Sequence, residues 1–160
     1  MHTRRSAFAV LLSPLLFAVG CTSTGSTVAM SIRTPREVAN RCLALLAVIR
    51  FAHGHAGVAD WVARNAVSAH FSADEAAFLK ASTQSDRDRN NFTWRAEALV
   101  PLLWATYQLD EMPAPNVQTD VSEVVRRRNL WTSPKSFVRS AKLRNLDALL
   151  DAREDALEAN

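Results

Sequence analysis

The sequence predicts an all-α fold: a compact single-domain bundle of about five to seven helices around a buried central helix. Three observations carry that reading. Glycine occurs only four times and never between Val58 and Asn160, so the glycine turns of β-hairpins are missing there. No stretch alternates apolar and polar residues for long, whereas alanine, the best helix former, occurs 26 times. The segment Trp94 to Leu109 has no polar residue from Ala98 to Ala105, which describes a helix apolar on every side and therefore buried. At 160 residues, with 48% hydrophobic and 22% charged residues, the chain has the size and composition of one globular domain.

Arg4 and Arg5 precede a 13-residue apolar run, Ala7 to Val19, interrupted only by Ser13 and Pro14. A bilayer span takes about 20 residues; this run has the length of a signal-peptide core instead. It ends in Ala18-Val19-Gly20-Cys21, which resembles the lipobox of bacterial lipoprotein precursors. Residues 1–20 are therefore expected to be a lipoprotein-type signal peptide. Cys21 is expected to be the lipidated (palmitate-type) mature N-terminus, and 21–33 the cysteine with a polar, flexible tether. The competing outcomes are cleavage after Ala29, retention of the run as a weak anchor, and translation from Met30. Loss of residues 1–20 removes two arginines and no acid. The net charge of +3 then falls to +1, with 17 basic against 16 acidic residues. A nearly neutral chain gives no case for nucleic acid as a partner.

The helical domain, residues 34–160, opens with Thr34-Pro35-Arg36-Glu37. Thr is an N-cap, Pro suits the first helical position, and Glu three residues on closes a capping box. Val38, Cys42, Leu45, Ile49 and Ala52 recur at helical spacing, and Gly54 ends the helix. A second helix is predicted from Val58 to Ala69. Ser72-Ala73-Asp74-Glu75 is a further capping box, opening a short helix through about Ala81. Residues 82–91 contain no apolar side chain and are expected to be an exposed loop. Pro101 within the central helix predicts a kink or a new turn. Two prolines make Asp110 to Pro115 a turn. Asp120-Val121-Ser122-Glu123 opens another helix, and Ser133-Pro134 the last helical region, with Phe137, Ala141, Leu146, Leu149 and Leu150 facing inward.

Several of these segments together resemble one known family. They are Arg41-Cys-Leu-Ala-Leu-Leu, Ser72-Ala-Asp-Glu-Ala-Ala-Phe-Leu79, Trp94-Arg-Ala-Glu-Ala-Leu99, Leu102-Leu-Trp-Ala105, Pro113 with Pro115, and Val121–Val124. Over about residues 34–150 the chain resembles the bacterial family catalogued as domain of unknown function 4272. Pro101 stands where that family usually has a helix former, and longer members continue past the position of Asn160. The resemblance implies a helical fold and no particular chemistry.

Trp94, Glu97, Pro101 and Trp104 are spaced to share a face of the central helix, which places Glu97 in an apolar stripe. A buried carboxylate needs a partner, and Arg41 or Arg50 is expected to supply it. Arg41, Arg95, Glu97, Trp94 and Trp104 form the candidate buried polar network. A rival reading makes Glu97 the acid of a small hydrolase, acting with an arginine. His53, His55 and His70 lack metal-site spacing, and Cys42 lies on an apolar face as a core residue, so neither a metal nor another cofactor is expected. Arg126, Arg127, Arg128, Lys135, Arg139, Lys142 and Arg144 are seven cations with no acid between Val125 and Asn145. They form a candidate basic surface for an acidic protein partner or anionic lipid, or a solvated face neutralised by the acidic tail. The expected function is that of a non-catalytic binding module, neutralising a toxin by analogy with other envelope lipoproteins. Its lipid holds it to the membrane facing the periplasm, with the outer membrane favoured.

Overall fold

The computed structural model describes residues 33–114 and 119–158; the expected signal segment, Cys21 and the tether up to residue 32 lie outside them. The helices are α1 (Pro35–Ala52), α2 (Val58–Arg64), α3 (Ala73–Lys80), α4 (Asp86–Thr93), α5 (Arg95–Ala105), α6 (Val121–Arg127), α7 (Pro134–Ser140) and α8 (Leu146–Glu158). A 3-10 turn, Val67–His70, joins α2 to α3. No strand occurs among the described residues, so the fold is all-α.

Both predicted capping boxes form. Thr34 Oγ1 accepts from the Glu37 amide at 3.2 Å while the Glu37 carboxylate accepts from the Thr34 amide at 2.7 Å. Ser72 and Glu75 repeat the arrangement at 3.3 and 2.9 Å. Asp120 caps α6 through the Glu123 amide. α5 is buried from Ala98 to Ala105 and runs through Pro101 as one helix. Proline has no N–H, so this helix lacks one internal bond. α1 is buried continuously from Cys42 to Ile49 and is the hub on which α4, α5 and α7 pack. The interior is therefore built around two adjacent helices, with α5 the second.

Three expectations are corrected. Residues 82–91 are not one loop: Ser85 Oγ accepts from the Asp88 amide at 3.1 Å and starts α4 at Asp86. That helix has no buried residue, but its half-buried Phe92 stacks on Phe78 of α3 with ring centroids 4.0 Å apart. α2 stops at Arg64, not Ala69, because Ala66 adopts a left-handed φ of 52°. Leu146 is 42% exposed at the start of α8, while Leu149 is buried as expected.

Three helices end the same way, and a fourth shares only their left-handed residue. After α1, the His55 amide donates to Arg50 O and the Gly54 amide to Phe51 O, which is a Schellman motif closed by a left-handed residue. α5 and α6 do likewise, with Tyr107 (φ 59°) and Asn129 (φ 54°) in the left-handed position. At α2 the left-handed residue is Ala66.

Candidate functional site

The buried ion pair exists, but Glu97 is not its acid. Glu75 is completely buried, and its two carboxylate oxygens accept from Arg41 Nη1 at 2.5 Å and Arg41 Nη2 at 2.7 Å. This is the two-toothed arginine–carboxylate geometry. Arg41 Nη1 also donates to His70 O at 3.1 Å. Burial pushes the Glu75 carboxyl up. The Arg41 guanidinium, the Ser72 amide and the Arg95 charge outweigh it and hold the group below its ordinary value. One side chain thus caps α3 and ties it to α1.

Glu97 is half-buried on the first turn of α5 and pairs with neither Arg41 nor Arg50 among the described residues. Trp94 is 50% exposed at the joint of α4 and α5, outside the stripe that the spacing implied, whereas Trp104 is buried. The shared face fails because α5 begins after Trp94. Arg95 lies over the Phe92 ring at 5.6 Å.

Arg144 leaves the predicted basic surface. Its side chain is half-buried and donates to Trp104 O at 2.9 Å, Leu109 O at 2.9 Å and Asp110 O at 2.8 Å. It also lies against the Trp104 and Tyr107 rings at 4.6 and 4.5 Å. It serves as a strap between the chain after α7 and the carbonyl end of α5. Arg127 and Arg126 reach Glu123 at 3.2 and 4.0 Å, and Arg128 reaches Asp110 at 3.5 Å. Among the described residues none of these three pairs with the acidic tail. Lys135, Arg139 and Lys142 stay exposed.

Two open clefts lie toward opposite ends of α1. The first, about 700 Å³, is formed by the start of α1 and by α7, and presents Arg36, Lys135 and Arg139 with no acidic residue among the described residues of its lining. The second, also about 700 Å³, lies between the C-terminal half of α1, α6 and the Asn129–Thr132 turn, and holds Arg50, His53, His55 and Trp131. Neither Arg36 nor Trp131 was singled out by the sequence. Both sit in segments where nothing local marks a cleft that two distant elements create.

His53 and His55 are exposed at the end of α1, with ring centroids 6.5 Å apart. No metal-holding group of three or more His, Cys, Asp or Glu occurs among the described residues. Burial pushes the Cys42 thiol up to about 12, with opposing help from Thr106, so the cysteine is a core residue. No helix among the described residues is long and apolar enough to cross a membrane.

Residues 23–159 match the family model described as domain of unknown function (DUF4272). No curated protein and no solved structure matches the chain.

Proposed function

We propose, for a chain that belongs to the domain of unknown function 4272 family, the role of a lipid-anchored envelope module that acts by binding an acidic protein partner. The observation that carries this reading is the cleft at the start of α1, which Arg36, Lys135 and Arg139 line and where no described lining residue is acidic. Like charges gathered on a concave surface raise the local potential and draw in opposite charge. Attachment at Cys21 would hold the domain at the end of a tether whose extended reach is on the order of 40 Å. The cleft lies where that tether enters the fold, so a partner bound there would be held close to the membrane. A toxin arriving from a neighbouring cell is one such partner, by analogy with envelope lipoproteins.

Two measurements test the halves of this proposal separately. Cys21→Ser should abolish labelling by a clickable fatty acid and the membrane-bound mature form; an unlabelled, unbound parent protein overturns the anchor. Capture of partners from envelope extracts by the full chain should fail in about 1 M salt, where charges are screened within about 3 Å. It should also fail for the double variant Lys135→Glu with Arg139→Glu. Capture unchanged by that variant overturns the binding face.

A further inference from the structure

The second cleft has a different chemistry. Arg50 carries five N–H donors in a planar fork, yet its Nε is buried with no acceptor, and no described residue forms a hydrogen bond or ion pair with the group. Its one contact of note is with the Trp131 ring, 4.3 Å from the guanidinium carbon. Trp131 is itself fixed. It stacks on Trp61 at 4.0 Å and 5° between planes, and its carbonyl accepts from Trp61 Nε1 at 2.8 Å. Donors buried without an acceptor are costly; Arg50 also lines the cleft, where the outer N–H groups of the same fork can meet an acceptor that arrives from outside.

From this we propose that the cleft between α1 and α6 binds a small amphipathic carboxylate. The carboxylate sits on the Arg50 fork, and an apolar body lies against Leu46, Ile49, Val121 and Val125 of the lining. Guanidinium matches a two-oxygen acceptor in geometry as well as charge. The size of the cleft falls in the range of about 300–1,000 Å³ usual for small-ligand sites. The charge balance selects a monoanion. His55 is pushed below its ordinary value by desolvation, then by Arg50 and His53, which disfavours a second positive charge beside Arg50. Asp120 on the lining opposes a second negative charge, and Arg126 already faces Glu123. This site requires neither the lipid anchor nor the acidic protein partner.

The test uses the full chain and two probes of one shape, 4-phenylbutyrate and the neutral 4-phenylbutyramide, followed by calorimetric titration. The carboxylate should bind saturably and about tenfold or more tighter than the amide. Arg50→Lys keeps the charge and loses the fork, and should weaken carboxylate binding by about tenfold. Ser122→Trp fills the cleft from an exposed position on α6 and should weaken it at least as much, with helix content unchanged. Equal affinity for acid and amide, carboxylate binding that survives Ser122→Trp, or no saturable binding overturns the site. Should Arg50→Lys lose helix content, the probe pair and Ser122→Trp decide the matter; in a folded Arg50→Lys protein, undiminished binding overturns it.

Discussion

Glu75 and Arg41 stand 34 residues apart in sequence, and each depends on the other. Glu75→Ala leaves a guanidinium facing the interior with no counter-charge. It should cost about 3–5 kcal/mol in thermal or denaturant melts of the whole chain. Glu75→Gln should cost less, because the amide keeps a carbonyl acceptor and the volume. The sign of the pH effect follows from the direction of the shift. The folded carboxyl titrates below its unfolded value near 4.5, so its contribution is complete above that value and fades as pH falls through the folded one. Acid melts should therefore show the parent losing stability below pH 4.5 more steeply than Glu75→Gln. Cys42 makes a simpler prediction: with the thiol buried and pushed up to about 12, iodoacetamide should label it only in denaturant. A hint of the ion pair was present in the sequence. Glu75 shares its helix face with Phe78 and Leu79, so its carboxylate points where apolar side chains point. The cap role is local and readable, whereas the partner comes from a helix that only tertiary packing brings near.

Helix starts and helix ends were unequally legible for a physical reason. The starts of α1, α3 and α6 are written in side chains three residues apart, Thr34 with Glu37, Ser72 with Glu75, and Asp120 with Glu123. The ends of α2, α5 and α6 are written in backbone, with Ala66, Tyr107 and Asn129 where glycine usually announces a left-handed residue. Alanine there carries a steric cost of about 1–2 kcal/mol that glycine does not. Ala66→Gly, at an exposed position, should accordingly raise stability by about 1 kcal/mol in denaturant melts. α4 escaped detection because its docking residue, Phe92, lies past the polar run that hid the helix. Arg144 was read as surface charge because nothing local shows the carbonyls it meets. Arg144→Ala removes three charge-assisted bonds and should cost about 2–4 kcal/mol, since such bonds do not add fully. Arg144→Lys should recover only part, as an ammonium cannot stack and fork at once.

At the scale of the molecule, the bundle rests on α1 and α5, each buried continuously over at least eight residues. Apolar runs made the burial of α5 visible in the sequence, and amphipathic spacing understated that of α1. The two clefts lie toward opposite ends of α1, a helix about 27 Å long. Their occupants should not interfere: saturating 4-phenylbutyrate should leave salt-sensitive partner capture unchanged. The double duty of Glu75 also constrains motion. The first turn of a helix ordinarily frays alone and its amides exchange quickly with solvent. In α3 that turn cannot open without withdrawing the carboxylate from Arg41. Fraying and loss of the α1 contact therefore become one event. In hydrogen–deuterium exchange, the Ser72 and Glu75 amides should be protected to the depth of the α1 core, and both should become fast together when Arg41 is replaced by Met.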